Sequence, residues 1–217
     1  MDNQFPNKDF KQEKSSQVDD FPIQPITHAK APKKEETHLI VLDYLPDGKE
    51  FGSTKKREPI IQAIGTNWFS LVELILVKRE PYPQFTVIPF PKESSDNTHI
   101  KKIKHFISMS DLTNTSSSAL EKAIEIIINQ NEKRFVTFFN KAQPITNRSH
   151  ALQLIPGIGK KLMWDIIAAR KQLPFISFND IEQRLKISDI KRMIANRIIE
   201  ELQKTEKHRL FTIEPPV

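Results

Sequence analysis

Leu154 to Ile167 reads LIPGIGKKLMWDII. Gly157 and Gly159 stand two apart, Lys160 and Lys161 follow at once, and apolar residues then return at helical spacing. The pattern predicts a helix from Lys160 to about Gln172. It also puts two positive charges on the first turn, where the helix dipole is already positive. Each should cost about 0.3–1 kcal/mol, so the placement calls for an anionic partner. The two glycines can take backbone angles that a Cβ forbids, and they let another backbone come close. Ile158 between them can turn back to plug Leu154, Ile155, Leu162 and Ile166. The helix would then begin with free N–H groups unobstructed by side chains, which is the physical description of an anion site. A nucleic-acid phosphate would turn the unfavourable lysines into an asset.

Composition sets the bounds. The chain of 217 residues is long enough for two small domains with a real core. It has no cysteine, so disulfides, thiolate zinc sites and cysteine nucleophiles are excluded. That fits an intracellular, cytoplasmic protein. Its six histidines never fall at metal-ligand spacing, and no cofactor or metal is expected. No apolar run reaches the eighteen residues of a membrane span, and the N-terminus lacks an apolar signal core. The net charge of +6 is unevenly spread: −1 over 1–36, +2 over 37–143 and +5 over 144–217. The basic excess shares the C-terminal third with the glycine motif, which favours a polyanion partner.

Along the chain, 1–36 mixes prolines with charges of both signs and little apolar periodicity, and is expected to be a disordered tail. From His38 come short β-prone runs: HLIVLDYL followed by the turn signal PDG, EPIIQAI, WFSLVELILV and QFTVIPF. They predict a small closed barrel or sandwich over 37–112. HIKKIKHF at 99–106 fits either a last strand or a short helix. From Thr113 the period becomes helical, with a capping box at Ser118–Glu121 and a break near Gln130-Asn131. These connecting helices, 113–143, carry Phe135, Phe138 and Phe139, read as core. Over 144–213 the expectation is four helices: one capped by Thr146 or Asn147 and ending at Ile155, the Lys160 helix, FNDIEQRL, and Ile190 to Gln203. FTIEPPV should leave the fold.

LIPGIGKK followed by an apolar helix resembles the helix-hairpin-helix motif of nucleic-acid-binding proteins. The resemblance implies hairpin amides that hold a backbone phosphate without reading sequence, at Gly157, Ile158, Gly159, Lys160 and Lys161. The last two helices resemble a second, degenerate unit whose turn, KISD at 186–189, has no glycine. More widely, VLDYLPDGK, EPIIQAIG, LVEL, DLTNT, RFVTFFNKAQPIT, the glycine motif and FISFNDIEQR occur in this order and together resemble the archaeal "domain of unknown function 655" family, over roughly 38–213. That resemblance implies an α+β protein in which a small OB-like β-barrel precedes an all-α tandem helix-hairpin-helix domain. It also implies nucleic-acid binding and no catalytic residue. In such a barrel, Lys55, Lys56 and Arg57 would form a basic loop, with Tyr44, Phe51, Trp68, Phe69, Tyr82 and Phe85 as candidate stacking rings.

The expected function is therefore non-catalytic binding to the nucleic-acid backbone, RNA before DNA, as in a ribosome or other ribonucleoprotein. A DNA-binding or repair-associated protein is one alternative. A protein-interaction scaffold is the other. A base-excision glycosylase would place a catalytic Asp about twenty residues after the lysines. Asp180 lies nineteen after Lys161, but without the family's glycine-rich loop, and is more simply a helix-start carboxylate. Asp43, Asp47 and Glu50 could suggest metal-binding nuclease carboxylates, yet Asp47-Gly48 is first a turn pair.

Overall fold

Five β-prone segments pair into one antiparallel sheet: β1 (His38–Leu45), β2 (Ile60–Gly65), β3 (Leu71–Leu76), β4 (Val87–Pro89) and β5 (Ile100–Phe106), in the order β4-β1-β2-β3-β5. The computed structural model describes residues 35–48, 58–91, 99–146, 148–203 and 208–213. The tail up to residue 34, Glu50, Phe51 and the basic loop Lys55, Lys56 and Arg57 lie outside the described residues.

Alternation along β1 shows how the sheet is used. Ile40 and Leu42 point to the helices, while Leu39 and Val41 enter a second apolar cluster on the opposite face. Every residue of β2 and β3 is buried, which explains the nearly unbroken apolar run in the sequence. The second cluster gathers Ile88 and Ile100 from the two edge strands, together with Tyr44 and Tyr82. The sheet is a curled half-barrel rather than the closed barrel expected. β4 has only three residues and ends at Pro89, which cannot donate to a further ladder.

A β-bulge pins the first helix to this sheet. Val41 pairs with Ala63 and Asp43 with Gln62, which leaves Leu42 as the extra residue. The bulge aims the Asp43 carboxylate at Thr113, whose hydroxyl donates to it at 2.6 Å. The Thr113 Oγ1 also accepts the Ser116 N–H, capping α1 (Asn114–Gln130). The buried Gln62 amide donates to Glu73 and accepts the Thr113 N–H. Thr113 is thus the cap, five residues before the Ser118–Glu121 box expected from sequence; Ser118 sits inside the helix and donates to the Asn114 carbonyl.

α1 breaks at Asn131, where α2 (Glu132–Lys141) begins, as the Gln130-Asn131 signal predicts. Phe135 and Phe139 are fully buried in a core shared by sheet and helices, and Phe138 packs at its edge. Then come the short strands β6 (Pro144–Thr146) and β7 (Ser149–His150), α3 (Lys160–Gln172), α4 (Phe178–Leu185) and α5 (Ile190–Leu202).

Both predicted ends need correction. Glu36, assigned to the tail, is buried, and its carboxylate accepts the N–H groups of Asn67, Trp68 and Ser70. It holds the turn in which Phe69 takes a left-handed φ of 59°. At the other end Phe211 and Thr212 are buried too. The buried Glu201 carboxylate accepts the N–H groups of Leu210, Phe211 and Thr212. The segment therefore stays on the fold at least to Thr212.

Candidate functional site

The turn before α3 is fixed by proline chemistry. Ile155 is extended, as a residue before proline prefers. Pro156 and Gly157 then form the corners of a turn closed by the Ile158 N–H donating to the Ile155 carbonyl at 3.0 Å, with Gly157 at φ 89°. Proline followed by a positive-φ glycine is the type II arrangement. Ile158 turns inward and is buried with Ile155 and Ile166, as its plug role requires. Its N–H is used inside the turn, so it is unavailable to a ligand.

Gly159 serves another purpose. Its φ of −76° suits any residue, and a Cβ built on it would meet nothing within 4 Å. Neither backbone strain nor packing explains the missing side chain. Gly159 is the N-cap of α3, and among the described residues no side chain caps that helix. Lys160 and Lys161 are exposed and, among the described residues, neither has an acidic partner. The first turn holds no acidic residue either. The unfavourable placement seen in the sequence therefore persists in the fold.

The helix expected before this turn is absent. β6 and β7 pair Pro144 with His150 and Thr146 with Ser149, and only Ala151–Leu154 coil, as a single 3-10 turn. The His150 Nδ1 accepts the Leu152 N–H and starts that turn; Pro156 forbids its extension. Burial, and after it the nearby Arg170 guanidinium, holds the His150 imidazole below its ordinary value, so the ring is neutral as the cap requires.

The α4–α5 turn makes a useful contrast. Lys186 and Asp189 take left-handed angles, φ 54° and 65°, without glycine. The Ile190 N–H at the start of α5 donates to Glu182 Oε1 at 3.0 Å. A carboxylate of the chain itself already occupies the position that an external anion would take. Lys191 and Arg192 are exposed beside it, with the Lys191 ammonium 5.8 Å from the centre of the Phe178 ring.

Other candidates resolve into structural roles. Asp180 accepts the Ile176 N–H at 3.1 Å and pairs with Arg184 at 3.3 Å. Asp43 is tied to Thr113, and Asp47 pairs with Arg79 at 3.3 Å. Among the described residues no group of three or more His, Asp or Glu could hold a metal ion. Part of the C-terminal basic excess is structural: Arg170 donates to the Phe139 and Ala142 carbonyls, Arg184 to those of Ala169 and Leu173, and Arg197 pairs with Glu201 inside the core. Phe69 is buried, Tyr44, Tyr82 and Phe85 pack against the apolar clusters, and Trp68 lies half-buried under Arg134. Sequence reasoning passed over Trp164, exposed on α3 one turn after Lys160. Its signal was the i, i+4 spacing from that lysine.

These features define an α+β protein with a curled antiparallel sheet packed on helices and an uncapped, lysine-flanked helix N-terminus. The chain belongs to the DUF655 family, described as "Protein of unknown function", whose model matches residues 35–213. It is 37% identical over 190 residues to "Uncharacterized protein MJ0038" of Methanocaldococcus jannaschii, covering 83% of this chain and 81% of that one. Its fold is similar to the crystal structure of Af1531 from Archaeoglobus fulgidus, with a TM-score of 0.73 and 39% identity over 82% of this chain and all of the other. No helix among the described residues is long and apolar enough to cross a membrane.

Proposed function

We propose that this protein is a cytoplasmic, non-catalytic nucleic-acid-binding protein that holds the phosphodiester backbone at the start of α3 without reading sequence. The observation that carries the reading is the contrast between two helix starts. At α5 the first amide is filled by Glu182, whereas at α3 the cap is a glycine that neither strain nor packing explains, followed by two lysines without acidic partners among the described residues. A phosphate supplies the missing acceptor and the missing charge together. In this reading the half-barrel is an OB-like platform, and the glycine turn with α3 is a reduced helix-hairpin-helix unit whose first arm is the single 3-10 turn Ala151–Leu154, while α4 and α5 form the second unit that completes the core. Single-stranded RNA, as in a ribosome or other ribonucleoprotein, is the preferred ligand, because OB-like sheets favour single strands. DNA is the alternative ligand.

Binding of the full chain to RNA and DNA oligonucleotides over a salt series tests this. Lys160→Ala/Lys161→Ala should weaken all sequences alike and flatten the salt slope by about 0.7–0.9 per lost phosphate contact. A loss confined to one sequence, at an unchanged slope, contradicts it. A second reading, a scaffold that docks protein, is favoured by Leu173 and Ile176, which are 63% and 83% exposed on the α3–α4 loop.

A further inference from the structure

Beside the glycine turn lies a groove of about 460 Å³. Sites for small ligands span about 300–1,000 Å³, so one planar group fits. His150 and Met163 are its buried lining, and Arg148, Gln153, Lys160 and Trp164 stand around them. One exposed tryptophan is ordinary on a protein surface. This one borders a groove whose lining also holds two cations, Arg148 and Lys160, and hydrogen-bonding side chains such as His150 and Gln153. Trp164 is 57% exposed, and among the described residues no ring or cation packs on its indole. Arg148 and Lys160 have no acidic partner among the described residues. The His150 Nδ1 accepts the Leu152 N–H, so the neutral ring carries its proton on Nε2 and donates there. The Gln153 Oε1 accepts the His150 N–H, which fixes that amide at the groove.

We infer that this groove receives one unpaired nucleobase, stacked on Trp164, from the strand whose phosphate sits at the start of α3. The inference rests on the phosphate reading above. Lys160 and Trp164 share one helix face and lie about 6 Å apart along the axis, at 1.5 Å per residue, so one nucleotide spans both. The cations match the flanking phosphates, while His150 and Gln153 meet the polar edge of the base. A base inside a duplex cannot present its face, so the groove selects single strands or looped-out bases over continuous duplex.

The test uses the full chain with an adenine-rich single-stranded RNA and a blunt RNA duplex of matched length. Trp164→Ala should weaken the single strand about 5- to 150-fold, the range that base–aromatic stacking gives, and leave duplex affinity unchanged. Trp164→Phe should recover part of the loss. The melting temperature should not move, because the side chain is exposed. RNA should quench tryptophan emission in Trp68→Phe and not in Trp164→Phe. Unchanged single-strand affinity in Trp164→Ala overturns the inference, as does an equal loss on duplex. If Trp164→Ala is silent while Lys160→Ala/Lys161→Ala weakens both ligands, the base site falls and the phosphate reading stands. If the unaltered protein binds neither ligand, both fall.

Discussion

Met193 on α5 backs the tip of the glycine turn: a methyl group added at Gly157 would stand 2.6 Å from its Cε. The same addition at Gly159 would meet open space. The two glycines thus answer to different demands. Gly157→Ala should destabilise the protein by about 1–2 kcal/mol, because φ is positive there. Gly159→Ser should do the reverse. Its hydroxyl can cap the free amides of α3, adding a few tenths of a kcal/mol, while it occupies the place of the phosphate. Thermal melting and RNA titration of the two variants check this pair. A drop in both stability and affinity for Gly159→Ser would show that the glycine is structural.

The lysine pair should be a liability without ligand. Lys160→Ala/Lys161→Ala removes like charge from the positive end of α3 and installs a better helix former. The ligand-free melting temperature should hold or rise. A clear fall would mean that these side chains support the fold.

Protonation should loosen the turn that leads into α3. His150 is 6% exposed and caps Leu152 through Nδ1, which only the neutral ring can do. Its pKa in the folded state lies below the ordinary 6.5. The unfolded chain therefore takes up the proton first, and stability falls as pH drops below about 6.5. Above that value the ring is neutral in both states and the contribution is complete. His150→Asn keeps an acceptor without the titration. Between pH 7.5 and 5.5 it should lose less melting temperature than the parent protein. Equal losses would remove His150 from the account.

Glu201 should be a keystone of the C-terminal end. It is fully buried, bonds Arg197 at 2.9 Å and accepts three backbone N–H groups from 210–212. Glu201→Ala should cost about 3–5 kcal/mol, the range for breaking one side of a buried pair, and should release Phe211 from Phe135 and Phe138. Chemical denaturation measures the first effect and proteolysis of the C-terminus the second. A loss below 1 kcal/mol would contradict this role.

Legibility in the sequence followed the range of the forces involved. α3 and α4 match their predicted spans, and β1 matches HLIVLDYL, because local periodicity and capping decide them. The runs later along the sheet shrank at one end or both. Phe69 and Phe85 take positive φ, and the buried carboxylate of Glu36, far back in the chain, holds the turn at Phe69. The helix expected before Pro156 failed for a similar reason: pairing of Pro144 with His150 overrode its propensity. At the site, the glycines and lysines were visible as a motif. The difference between Gly157 and Gly159 was not, since it depends on what each would touch. Nor was the Glu182 carboxylate at the Ile190 amide, which requires the α4–α5 turn to be folded.

The most direct measurement is of the amides themselves. Proton–nitrogen NMR spectra of the full chain, recorded with increasing single-stranded RNA, should show the largest shifts at Gly159, Lys160 and Lys161. The Ile190 amide, already bonded to Glu182, should stay in place. Largest shifts at Ile190–Arg192, or on the sheet with the α3 amides unmoved, would contradict the claim that the start of α3 holds the phosphate.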